Sequence, residues 1–170
     1  PDPYTVEHFF GLIEARRYEI DVALDGPVGE HAGRLWGGNL VMIAALLGTP
    51  YFPRVRGGIL VVEDVNEPAY KIERLFYQLA HAGVLARQRA IVFGDFDPVT
   101  PMPNDNGFDL AAVVARVRDI AGVPVYTGLP YGHTARKLTL PIGARATLVA
   151  RRGGRATLDL AGYPSLAKRA

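Results

Sequence analysis

At 170 residues, with 49% apolar and 21% charged side chains, the chain suits one globular domain with a sizeable core. Its longest apolar run, residues 40–47, is far shorter than the ~20 residues of a membrane span, and the first residues have neither the basic nor the apolar segment of a signal peptide. A net charge of +2 with only scattered basic pairs (Arg16-Arg17, Arg151-Arg152, Lys168-Arg169) argues against a nucleic-acid partner, and the absence of cysteine removes disulfides, thiolate metal sites and thiol nucleophiles.

Residues 1–4, opening Pro-Asp-Pro, read as a linker, and residues 6–15 as a short helix with Thr5 as its N-cap. Residues 18–24 alternate apolar and acidic side chains, as a half-buried strand does, and residues 31–36 return as a second strand after a turn at residues 26–29. Gly37-Gly38 is expected to break that strand, with Asn39 capping a helix through Leu47. The run Ile59-Leu60-Val61-Val62 is apolar throughout, the signature of a strand covered on both faces. A helix follows over residues 68–82, its apolar face placed at Tyr70, Leu75 and Leu79. Residues 90–93 and 123–126 are two further buried strands around a helix at 108–121. A loop with three prolines, residues 97–107, precedes that helix. The segments 146–150 and 156–160 form a hairpin turning at Gly153-Gly154. Two strand–helix–strand units and a hairpin indicate a mixed α/β domain, with a partly parallel sheet and flanking helices.

Three segments offer chemistry. Glu63-Asp64-Val65-Asn66-Glu67 continues a buried strand at its carboxyl end, where functional groups gather in α/β sheets. Asn66 and Glu67 are expected to cap and complement the next helix, and Asp64 to serve the turn. Glu63 directly extends the buried run, where a carboxylate needs a partner. Gly128-Leu129-Pro130-Tyr131-Gly132-His133 follows another buried strand, and its glycines and proline fix the path leading to the imidazole. His133 is either a general base oriented by a carboxylate or a surface hydrogen-bonder. Trp36-Gly37-Gly38-Asn39 leads into a helix whose free amides suit a carboxylate ligand, so Trp36, Gly38 and Asn39 are candidate substrate-binding residues; a tight turn packed under the tryptophan is the alternative. No clustered metal ligands, P-loop or dinucleotide fingerprint is present, so no metal or cofactor is expected.

Together these segments resemble the LD-carboxypeptidases and their relatives, the microcin-immunity peptidases. The resemblance rests on Gly-Gly-Asn-Leu at 37–40, on Glu63, Asp64, Glu67, Tyr70 and Arg74 after the apolar strand, and on Gly94-Asp95-Phe96. It extends to the Gly-x-Pro-x-Gly-His of 128–133 and the Leu-Pro-x-Gly of 140–143. It implies the C-terminal half of a two-domain cytoplasmic serine peptidase, a swivelling β/β/α unit. In it Glu63 orients and His133 acts as base and acid, while the N-terminal domain supplies the serine. The only serine here, Ser165, stands near the C-terminus, so this chain alone is expected to be inactive. The implied substrate is a murein tetrapeptide losing its terminal D-alanine in cell-wall recycling, or a peptide–nucleotide conjugate in the immunity enzymes. A homodimer is expected, and a binding or assembly module without catalysis is the reading from another class.

Overall fold

The computed structural model describes residues 2–97 and 103–167, so residues 98–102 of the proline-containing loop and the basic pair Lys168-Arg169 lie outside the described residues. Helix α1 spans Pro3–Glu14. Its N-cap is Asp2, whose carboxylate accepts the Tyr4 amide at 2.9 Å, and Pro3 fits the first turn because its missing N–H would have no helical partner anyway. The helix therefore starts earlier than expected: Pro3 and Tyr4, read as linker, form its first turn, and Thr5 lies inside it.

Strands β1 (Arg17–Ala23) and β2 (Gly29–Asn39) come next, then helix α2 (Leu40–Ala45) and strand β3 (Ile59–Val65). Helix α3 (Ala69–His81), strand β4 (Ala90–Asp97), helix α4 (Leu110–Ala121) and the short strand β5 (Val125–Tyr126) complete the α/β portion. Strands β6 (Arg145–Ala150) and β7 (Arg155–Ala161) form the terminal hairpin. No described helix is long and apolar enough to cross a membrane.

The strands form one seven-stranded sheet in the order β1-β7-β6-β2-β3-β4-β5. β2 joins its two halves. Residues Gly29 to Arg34 pair antiparallel with β6, and Leu35 to Asn39 pair parallel with β3. The strand runs through Gly37-Gly38 rather than stopping there. Gly37 has φ near +140°, and a Cβ on it would overlap the Val61 carbonyl oxygen of β3, so glycine lets β2 continue where any side chain would push the strands apart. Reciprocal backbone bonds between Asp25 and Thr127, at 3.0 and 2.9 Å, join the segments beyond β1 and β5 and draw the sheet's two edges together.

That curl creates two cores from one alternation. Ile59 and Val61 of β3 and Ala90 and Val92 of β4 face the inside of the curled sheet, among Leu35, Tyr126, Leu148 and Leu160. Leu60, Val62, Ile91 and Phe93 face the other way, against α2, α3 and α4. Both faces are covered, which is why these strands read as unbroken apolar runs. Helix α3 contributes Ile72, Leu75, Phe76 and Leu79 at i, i+3, i+4 and i+7. Tyr70 is not on that face: five residues before Leu75, it sits about 140° around the helix and is 52% exposed. Each fully buried side chain of this size contributes about 1.5–3 kcal/mol, so the helix layer is anchored to the sheet by several such residues at once.

Candidate active site

The carboxyl ends of the parallel strands meet at one edge of the sheet, and β3 ends there in two buried carboxylates, Glu63 and Asp64, 5% and 3% exposed. Adjacent strand residues point to opposite faces, and these two are used differently. Asp64 accepts hydrogen bonds from Asn39 Nδ2 (2.9 Å), the Val41 amide (3.0 Å) and the Val65 amide (2.9 Å). It fastens the start of α2 to β3 and has little capacity left for a ligand. Glu63 Oε2 lies 2.7 Å from His133 Nδ1. An ionised carboxylate only accepts, so Nδ1 carries the proton and Nε2 is left with its lone pair free. The His133 side chain is 56% exposed while that of Glu63 is 6% exposed, so one end of the dyad is embedded and the other opens to solvent.

His133 stands in an irregular segment between β5 and β6, and close backbone contacts hold that segment. The Asp95 amide at the end of β4 donates to the Tyr131 carbonyl at 2.7 Å, and the Leu138 amide donates to the Pro130 carbonyl at 2.7 Å. Gly94 packs so closely beneath Tyr131 that a Cβ would overlap the Tyr131 carbonyl oxygen. Gly132, with φ near +149°, lets the chain pass the Asp95 carbonyl and turn the imidazole toward Glu63. The Thr134 hydroxyl lies 3.1 Å from the Asp95 carboxylate and 3.0 Å from the Arg136 carbonyl. Beside the dyad, burial and then the negative charge of Glu63 push the Tyr131 hydroxyl pKa above its ordinary value, so that phenol stays protonated.

The structure brings Glu63 and His133 together, 70 residues apart in the chain. The Trp36-to-Asn39 segment is committed elsewhere. Trp36 is buried, its indole N–H donating to Gln88 Oε1 at 2.9 Å. Asn39, the register partner of Glu63 across β2 and β3, caps α2 by accepting the Met42 amide at 3.1 Å and gives its own N–H to Asp64. At Gly38 a side chain would meet open space. A groove of about 390 Å³ touches Trp36 and Asn39, but neither Glu63 nor His133 lines it. Asn66 does not cap α3. It has φ near +61° and turns the chain, and Pro68 takes the N-cap position with no side-chain bond. Glu67 pairs with Lys71 at 3.5 Å. The residues that hold the histidine segment, Asp95 and Thr134, carried one legible signal: Asp95 follows a buried strand at its carboxyl end, as Glu63 does.

Residues 32–148 match the family model described as LD-carboxypeptidase C-terminal domain. The murein tetrapeptide carboxypeptidase of Pseudomonas aeruginosa is 35% identical over 140 residues, covering 81% of this chain and 45% of that protein. The microcin C7 self-immunity protein MccF of Escherichia coli is 31% identical over 139 residues, covering 77% of this chain and 38% of that protein. The crystal structure of muramoyltetrapeptide carboxypeptidase from Oxalobacter formigenes superposes with a TM-score of 0.91 at 40% identity, over 96% of this chain and 56% of that one. This chain thus spans less than half the length of the curated relatives it matches. With a family model matching residues 32–148 and this structural likeness, the chain belongs to the LD-carboxypeptidase C-terminal domain family.

Proposed function

We propose that this chain is the acid-and-histidine half of a serine carboxypeptidase that removes the terminal D-alanine from murein tetrapeptides, as in cell-wall recycling. The observation that carries the reading is the 2.7 Å contact between Glu63 Oε2 and His133 Nδ1, set in a chain of this family. His133 Nε2 takes the proton of a serine hydroxyl as it attacks the scissile carbonyl. Glu63 stabilises the imidazolium so formed, and the same Nε2 then protonates the departing amine. A second cycle, with water in place of serine, releases the acyl group and restores the neutral imidazole. The serine and the donors for the oxyanion belong to a preceding domain, which packs over this edge. Ser165, the chain's only serine, has no place in the mechanism. The resemblance also suggests a homodimer, an idea consistent with the exposed apolar side chains Val6, Phe9 and Phe10 on α1.

Turnover by the longer protein tests the reading. His133→Ala should lower D-alanine release by at least about a thousandfold while leaving the fold intact by circular dichroism. Near-normal turnover would refute the dyad. The second reading, a peptidase for peptide–nucleotide conjugates, is favoured by the similarity to the microcin C7 self-immunity protein. Competition between a murein tetrapeptide and an aminoacyl sulfamoyl adenosine distinguishes them: the substrate with the higher kcat/KM identifies the activity. A non-catalytic assembly module predicts turnover of neither.

A further inference from the structure

His133 is carried by a long stretch without regular secondary structure, yet its imidazole has to stay within hydrogen-bond distance of Glu63. One side of that stretch is held by β4, through Asp95. The other side is held from the opposite end of the chain. The Thr5 hydroxyl, in the first turn of α1, donates to the Ala135 carbonyl at 2.9 Å and accepts the Lys137 amide at 2.8 Å. Both bonds cross some 130 residues of sequence and use the hydroxyl as donor and as acceptor, two and four residues beyond His133. Between them, the Arg136 guanidinium lies 3.8 Å from the centre of the Tyr4 ring and 4.0 Å from the Asp2 carboxylate that caps the same helix. Thr5 is free for this because Asp2, not Thr5, caps α1. The α1 side of the clasp, Asp2, Tyr4 and Thr5, lies outside residues 32–148, the segment that matches the family model, while residues 135–137 lie inside it.

We infer that Thr5 is a positioning residue for His133, and that α1 acts as a clasp setting the imidazole against Glu63 by fixing the backbone of residues 135–137. The inference rests on the reading of His133 as the general base. Thr5 reaches no reacting atom; it acts through the loop. Valine has threonine's shape and neither its donor nor its acceptor. In Thr5→Val the Ala135 carbonyl and Lys137 amide turn to water and the loop gains freedom. The imidazole then samples the Nε2–H tautomer that a free histidine ring favours and that cannot act as the base.

The ring is read directly by long-range 1H–15N correlation through its carbon-bound protons, at a pH of about 8, above the ordinary histidine value of about 6.5. The original chain should show His133 as the single Nδ1–H tautomer. Thr5→Val should show a mixture of the two, and Thr5→Ser, which keeps the hydroxyl, should restore the single form. In the longer protein Thr5→Val should lower kcat roughly 10- to 100-fold at unchanged KM, with Thr5→Ser within about twofold of the original. Circular dichroism checks the fold. Should Thr5→Val not fold, Arg136→Gln, at an exposed position, should shift the tautomer ratio in the same direction by less. An unchanged His133 tautomer in the folded valine variant, or in Arg136→Gln if that is the one that folds, overturns the inference. The functional reading fails separately, on retained turnover of His133→Ala, and the tautomer measurement decides the clasp in either case.

Discussion

Replacing Glu63 by glutamine probes the dyad with almost no change of shape. Glu63 is 5% exposed, and its carboxylate accepts from His133 Nδ1 at 2.7 Å. A glutamine amide there presents either an acceptor or a donor. With its NH2 toward the ring it drives Nδ1 to accept, the proton moves to Nε2, and the general base is lost. Even in the correct tautomer the imidazolium loses its counter-charge. Blocking an orienting acid in this way costs about 10³–10⁴ in turnover, or roughly 4–5.5 kcal/mol of transition-state stabilisation. The effect on folding is much smaller. One hydrogen bond to a charged group, about 1.5–3 kcal/mol, is exchanged for a neutral one of about 1 kcal/mol, and a buried charge is removed at the same time. Glu63→Gln should therefore unfold within about 2 kcal/mol of the original in denaturant while losing nearly all D-alanine release in the longer protein. Turnover within tenfold of the original would refute the orienting role of Glu63. A matching collapse of stability would mean that the residue is structural.

Two further outcomes follow from the packing. In Gly94→Ala the added methyl meets the Tyr131 carbonyl and should displace the histidine segment, lowering turnover more than tenfold for a stability cost of about 1–3 kcal/mol, read by kinetics beside thermal unfolding. Burial lowers the pKa of His31, whose Nε2 sits 2.7 Å from the Tyr126 hydroxyl, and burial likewise lowers that of His8, with Arg136 adding to the effect and Glu7 opposing it. Below their ordinary value near 6.5 the unfolded chain binds protons that the folded one resists. Stability should hold above about pH 7 and fall as the pH drops through that value toward the lower folded pKa, and His31→Gln should shrink the fall in denaturant titrations between pH 5 and 8.

Much of the fold was legible because these strands obey one rule. Ile59 to Val62 and Ala90 to Phe93 are apolar at every position, and such runs occur only where both faces are covered. The same rule singled out Glu63, a carboxylate with no reason to follow such a run unless something answers its charge. The sequence misled where a local signal carried a second meaning. Gly37-Gly38 looked like a strand breaker, but the glycines exist because the Val61 carbonyl leaves no room for a side chain, and that contact belongs to another strand. Asn66 looked like a cap and is a turn residue, because Pro68 fixes where α3 begins. Thr5 looked like a cap too, and its partners lie some 130 residues away, where no local pattern reaches. The contact of Glu63 with His133 was of the same kind: each residue could be nominated alone, but their meeting depends on β3 and the segment after β5 opening at one edge of the sheet.

The most direct test of the split site is release of D-alanine from a murein tetrapeptide, measured in parallel for the longer protein and for this chain alone. The account predicts release by the longer protein, its loss in Glu63→Gln and His133→Ala, and none from the isolated chain. Release by the isolated chain would contradict it, because the nucleophile would then have to lie among these 170 residues.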